Sequence, residues 1–129
     1  MAAKKVLLVD DDKVVNFINR LTIGDHSADC EVAEAHDGQQ AIEHLMAEEA
    51  CPDVILLDIN MPGMDGFEFL NEYEKRGKCC YNSKIYVLTS SPRDEDREKA
   101  MANRLVKGFF DKPLSPEHIQ LMFSQSGKQ

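Results

Sequence analysis

The sequence predicts an α/β fold: a five-stranded, doubly wound parallel sheet with five helices covering its two faces. Short β-branched and leucine-rich runs recur along the chain, and segments with helical apolar spacing lie between them. No linker, repeat or low-complexity stretch interrupts this alternation. Strands that alternate with helices build parallel sheets, because each crossover helix must bring the chain back in the same direction.

The elements follow in order. KVLLVD at 5–10 is a continuous apolar run, suited to a strand buried on both faces. A helix over roughly 13–24 is expected to use Val14, Phe17, Ile18 and Leu21 as its apolar face, with Asp12 as its cap. CEVAEA at 30–35 is shorter and more polar, which predicts an edge strand. Asp37 reads as an N-cap with Gln40 completing a capping box, ahead of a stripe of Ile42, Leu45 and Met46. DVILLD at 53–58 is the most apolar strand and is expected at the centre. A helix from about 65 to 76 buries Phe67, Leu70 and Tyr73, and KIYVLT at 84–89 is the fourth strand. Ser91-Pro92 reads as N-cap and first helical residue, with Asp94 and Glu95 matching the helix dipole. VKGFF at 106–110 is the fifth strand. Ser115-Pro116-Glu117 then starts a last helix that buries Ile119, Met122 and Phe123.

At 129 residues the chain suits a single domain over 1–129 with nothing attached, and it is long enough for one core. It is 43% hydrophobic and 29% charged, with no apolar run near the roughly 18 residues of a membrane span. MAAKK passes straight into VLLV without a signal-peptide pattern, so a cytoplasmic location is expected, with no membrane partner. The net charge of -8 argues against nucleic acid as a partner, since phosphate backbones are bound through basic patches. Lys4-Lys5 and Lys75-Arg76 with Lys78 are small basic clusters that read as solvated surface. The four cysteines (Cys30, Cys51, Cys79, Cys80) show no metal spacing and are expected to be reduced, with Cys79-Cys80 the pair open to oxidation.

Ligands bind such sheets outside the carboxyl ends of the strands. Strand one ends in Asp10-Asp11-Asp12, strand three in Asp58, strand four in Thr89-Ser90, and strand five in Asp111-Lys112-Pro113. Taken alone, Asp58 reads either as a helix cap or as a reactive group held at the sheet edge. Taken together, these residues converge. Carboxylates a few ångströms apart repel by about 4 kcal/mol per pair at an effective dielectric of 20, a cost that a divalent cation offsets. Oxygen donors without His or Cys point to a hard ion, and Mg²⁺ fits best. Lys112 adds a fixed positive charge and Thr89 a hydroxyl, which suits a phosphoryl group carried on Asp58.

The segments VLLVDDD, DVILLDINMPGMDG, VLTSS and GFFDKPLS, in this order and spacing, resemble the receiver domain of two-component response regulators. The likeness covers nearly the whole chain and resembles the single-domain, chemotaxis-regulator type without an output domain. It implies the flavodoxin-like strand order 2-1-3-4-5. It further implies that Asp10 and Asp11 bind Mg²⁺ with Asp58 and the backbone carbonyl of Asn60, and that Asp58 is the phosphoacceptor. Thr89 becomes the switch hydroxyl, Lys112 the phosphoryl contact, Phe109 the switch aromatic, and Lys112-Pro113 a cis peptide. Pro62 and Gly66 shape the loop after Asp58. The implied partners are a histidine kinase or histidine phosphotransferase and a downstream protein target met at the face of helix four, strand five and helix five. Helix four has only Ala100, Met101 and Ala102 as apolar anchors, which suits a mobile element. Asp111 either pairs with Lys112 or points to solvent.

Three rivals fail on particular residues. A phosphatase of the haloacid dehalogenase type needs an acid two residues after its nucleophile, where this chain has Asn60. A pseudo-receiver is expected to lack the Asp, Thr or Lys, and all three are present. A flavin carrier needs a Ser/Thr/Gly-rich loop after strand one, where DDDKVV would repel phosphate. The expected protein is therefore not an enzyme in the turnover sense. It is a signalling protein that takes part in its own phosphotransfer and dephosphorylation.

Overall fold

The computed structural model describes residues 4–47, 51–76, 83–90 and 93–126, with side chains to residue 123. The strands are β1 (Lys5–Val9), β2 (Glu31–Ala35), β3 (Val54–Leu57), β4 (Lys84–Thr89) and β5 (Val106–Asp111). Between and after them run α1 (Lys13–His26), α2 (Gly38–Ala47), α3 (Gly66–Arg76), α4 (Asp94–Met101) and α5 (Pro116–Ser126). All neighbouring strands are parallel, in the order β2-β1-β3-β4-β5. β3 is central and β2 lies at an edge, as the sequence predicts.

Strand alternation sorts the core into two layers. Val6 and Leu8 pair in register with Val54 and Leu56, and they pack with Tyr86 and Leu88 against Ile23 of α1 and Ile119 and Met122 of α5. Leu7, Val9, Ile55 and Leu57 face the other way, toward Ala41, Ile42 and Leu45 of α2 and Phe69, Leu70 and Tyr73 of α3. Because β1 and β3 are covered on both faces, they carry almost no polar residue until they end.

Helix α1 departs from expectation. Val14, Phe17, Ile18 and Leu21 are 65%, 58%, 49% and 54% exposed, whereas Asn16, Asn19 and Ile23 are buried. The rotational phase is set by polar bonds at the helix start. Asp12 Oδ1 accepts from the amides of Val14 and Val15, and Asn16 Nδ2 donates to the Asp10 carbonyl. With Asn16 turned inward, the apolar stripe is turned outward.

Several smaller expectations are corrected. In α3 Phe69 takes the core position expected of Phe67, beside the buried Leu70 and Tyr73, and Phe67 is half-buried beneath the Lys99 ammonium. A full capping box at its start, with Asp65 and Glu68 each accepting from the other's amide, is a D-x-x-E signal missed in the sequence. At α2, Asp37 Oδ1 caps the Gln40 amide, but Gln40 Oε1 accepts from His36 rather than from Asp37. α4 begins at Asp94, with Arg93 at the N-cap and no side-chain cap; Ser91 and Pro92 lie outside the described residues. Phe123 is half-buried. Cys51, expected to be reduced, is disulfide-bonded, while Cys30 is a free thiol whose pKa burial pushes up to about 11. The Cys79-Cys80 pair lies outside the described residues.

Candidate functional site

β1 and β3 both end where the apolar run stops, so Asp10 and Asp58 emerge side by side at the carboxyl edge of the sheet. The Asp58 amide donates to the Val9 carbonyl at 2.9 Å, which carries the ladder one residue past the strand. Asp10 is 4% exposed and Asp58 6%, while Asp11 is exposed. One carboxylate oxygen from each of the three lies within 4.8 Å of the others.

Lys112 enters this cluster from the end of β5. Its Nζ lies 2.6 Å from Asp10 Oδ2 and 3.6 Å from Asp58 Oδ2. The Lys112 amide donates to the Thr89 carbonyl at 2.8 Å, so the two residues share one backbone rung, and the Lys112-Pro113 peptide is cis. Pro113 is exposed, as is Asp111, which points to solvent while Lys112 turns to Asp10. Thr89 is wholly buried. Its Oγ1 accepts from Asn60 Nδ2 at 3.4 Å, and the Asn60 amide donates to Asp58 Oδ1 at 3.2 Å.

Two glycines shape the loop behind Asp58. Gly63 has φ 72°, a left-handed value that favours glycine. A Cβ on Gly66 would lie 2.6 Å from Ile59 Cα, so only glycine lets the start of α3 close against the Asp58–Ile59 backbone. Pro62 is exposed beside them.

Burial pushes the Asp58 carboxyl up to about 6, against the opposing pull of Lys112; Asp10 and Asp11 push the same way as burial, while the Asn60 amide resists. Lys112 is drawn down by burial, yet its contacts with Asp10 and Asp58 carry it above its ordinary value. The site is therefore short of positive charge. Its donor set, three carboxylates without imidazole or thiolate, fits a hard divalent cation such as Mg²⁺, and the exposed Asp11 leaves room for water ligands.

Phe109 lies away from the acidic cluster. It is buried on β5 under α4, with the Arg97 guanidinium 4.8 Å from its ring centroid. The strand-end reading brought Asp10, Asp11, Asp58, Thr89 and Lys112 to one edge and the resemblance added Asn60; in the structure all six lie at that edge. Sequence reasoning missed Asn16, Arg97 and His118. His118 stacks on Phe110 at 4.2 Å and completes the cap of α5, its Nδ1 accepting from the Ser115 amide. No spacing pattern marks a buried asparagine or a cation over a ring.

Comparisons with known proteins identify the family and the fold. The family model of the response regulator receiver domain matches residues 6–124. The chain is 34% identical over 114 residues to the nitrate/nitrite response regulator protein NarL of Escherichia coli (strain K12). That match covers 88% of this chain and 50% of NarL, so the chain spans about half the length of the curated relatives it matches. A two-component response regulator from Cytophaga hutchinsonii superposes with TM-score 0.88 at 30% identity, covering 98% of both chains. The chemotaxis protein CheY4 of Vibrio cholerae superposes with TM-score 0.81 at 30% identity, covering 97% of this chain and 99% of CheY4. Fold, acidic edge and family match coincide: the chain belongs to the response regulator receiver domain family.

Proposed function

We propose that Asp58 accepts a phosphoryl group from the phosphohistidine of a histidine kinase or histidine phosphotransferase, and that the new charge resets the α4–β5–α5 face for a protein target. The observation that carries this reading is the convergence of Asp10, Asp11 and Asp58 within 4.8 Å beside the Lys112 ammonium.

An Asp58 oxygen forms the new O–P bond as the P–N bond of the phosphohistidine breaks, and the imidazole nitrogen keeps the bonding pair. Asp10, Asp11, Asp58 and the Asn60 carbonyl would hold Mg²⁺, which supplies neutralisation of the carboxylate and phosphoryl oxygens. Lys112 moves from Asp10 toward the phosphoryl oxygens, a short step for a flexible ammonium already 3.6 Å from Asp58. Thr89 exchanges its weak contact with Asn60 for a phosphoryl oxygen, and Phe109 repacks into the space that Thr89 leaves. The result is a population shift between two packings, biased by a local charge. The exposed stripe of Val14, Phe17, Ile18 and Leu21 begins two residues after Asp12, so a phosphodonor reaching Asp58 meets apolar surface beside its target. The Asn60 amide has no ionisable proton to give as a general acid, which favours a phosphoacceptor over a turnover phosphatase.

Intact mass after incubation with Mg²⁺ and acetyl phosphate tests the reading. One added phosphoryl group is expected, dependent on Mg²⁺ and absent in Asp58→Asn. No addition, in a protein that folds and binds Mg²⁺, would overturn it in favour of a receiver fold that engages its partner without phosphate.

A further inference from the structure

Asn16 is 0% exposed, on the face of α1 that packs against the sheet, where an aliphatic side chain is the usual occupant. Its Nδ2 donates to the Asp10 carbonyl at 3.0 Å, and its Oδ1 has no partner among the described residues. An amide oxygen buried without a partner is unfavourable. The residue is thus a poor choice for packing, and its one useful bond is the one to Asp10.

That bond answers a need created by the strand ends. The Asp10 amide takes the last rung on the β2 side by donating to the Ala35 carbonyl at 3.1 Å. In a continuing parallel ladder the Asp10 carbonyl would accept from the amide of residue 37. β2 stops at Ala35, however, and Asp37 turns away to cap α2. Asn16 takes the place of the missing rung. All four polar atoms of Asp10 are then held: the amide by Ala35, the carbonyl by Asn16, Oδ1 by the Asp12 amide at 2.9 Å, and Oδ2 by Lys112 at 2.6 Å. Of these partners, Lys112 is free to leave when another cation arrives, whereas Asn16 is not.

We infer that Asn16 is a positioning residue for the acidic site. By pinning the Asp10 carbonyl it fixes the β1–α1 turn, so that Asp10 and Asp11 meet Asp58 in a cation-binding arrangement. Without it the backbone at 10–11 can rotate, and two carboxylates drift relative to a third held by β3. Cation affinity falls first. The effect on phosphoryl transfer rests on the function proposed above, but the effect on cation binding does not.

The test uses the full chain with two substitutions. Asn16→Leu keeps the volume without the donor, and Asn16→Ser is small and too short to reach the carbonyl. The same changes at Asn19, buried one turn further along α1, serve as controls. MgCl₂ titrated into each folded protein by calorimetry should give a Kd raised roughly ten- to hundred-fold for both Asn16 variants, and unchanged for the Asn19 variants. In metal-free protein the Asp12 amide, bonded to Asp10 Oδ1, should exchange faster in the Asn16 variants alone. If either folded Asn16 variant binds Mg²⁺ as tightly as its Asn19 counterpart, the inference is overturned and Asn16 is only a packing residue. If Mg²⁺ binding weakens as stated while the native chain takes no phosphoryl group from acetyl phosphate, the positioning role stands and the phosphoacceptor reading fails.

Discussion

Lys112 Nζ sits 2.6 Å from Asp10 Oδ2, so a buried carboxylate of the acidic cluster is already neutralised by a lysine from the far end of the chain. A divalent cation approaching Asp10 must compete with that ammonium. Lys112→Met, which keeps the apolar stem, should therefore bind Mg²⁺ more tightly than the native chain. It should also take phosphoryl from acetyl phosphate more slowly, by roughly 10²-fold, because a preorganised charge facing the phosphoryl oxygens is gone. Calorimetry and time-resolved intact mass read the two effects separately; a variant that loses both would show that Lys112 holds Asp10 in its cation-binding position rather than competing with the cation.

Asp58 makes the fold pH-sensitive in an unusual direction. Its carboxyl is raised from 3.8 to about 6, so between those values the folded chain keeps a proton that the unfolded chain has lost. Stability contributed here falls as pH rises through that window and stays low above it. Asp58→Asn should be more stable than the native chain by about 1–3 kcal/mol at pH 7.5 in chelator, and the gain should vanish near pH 4. Urea unfolding at the two pH values measures this. Saturating Mg²⁺ should close most of the gap in the native chain, by mass action on the folded state alone.

His118 works with the opposite sign. Burial lowers its pKa from 6.5, against the pull of Asp111 and Glu117, so the unfolded chain takes up the proton first. Its contribution is present above pH 6.5 and is lost as pH falls below it. Protonation also ends the acceptance by Nδ1 from the Ser115 amide, which opens the cap of α5. His118→Gln supplies an amide oxygen at the same capping position. In an Asp58→Asn background it should flatten the loss of stability between pH 7 and pH 5, worth about 1 kcal/mol for a cap. An unchanged acid limb would place the titrating group elsewhere.

Among its buried residues α4 counts only Ala100, so the Arg97 guanidinium over the Phe109 ring is a main tie to β5. Arg97→Ala should speed amide exchange across α4 and cost about 0.5–1 kcal/mol, the range of an exposed cation–π contact. Exchange in β3 and β4 should not change. A double-mutant cycle with Phe109→Leu isolates the pair, and a coupling near zero would show that α4 is held by other contacts.

Much of this molecule was legible in the sequence because each feature is local. Short continuous apolar runs such as DVILLD, followed by proline and glycine, suit two-faced strands, and alternation with helices then favours parallel crossovers. A polar residue that ends such a run has one place to be, the carboxyl edge of the sheet. That is why Asp10, Asp58, Thr89 and Lys112 can be assigned to one edge from the sequence. Asp58 is more than a helix cap: among the described residues its Oδ1 accepts from the Asn60 amide, in a loop that starts no helix.

Tertiary structure decided the rest, because it depends on phase and distance between segments far apart in the chain. The apolar spacing of α1 describes a stripe, but spacing cannot say which way a stripe turns. The Asp12 cap and the bond from Asn16 to Asp10 set that angle, and Val14, Phe17, Ile18 and Leu21 face outward as a result. Lys112 pairs with Asp10 across 102 residues of chain, a contact no local pattern encodes. The raised carboxyl of Asp58 follows from burial beside Asp10 and Asp11, which exists only once the ends of β1 and β3 lie side by side. Sequence alone determined which groups reach the site; packing decided how they are held there, since a side chain's charge and hydrogen bonds are set by neighbours that only folding brings near.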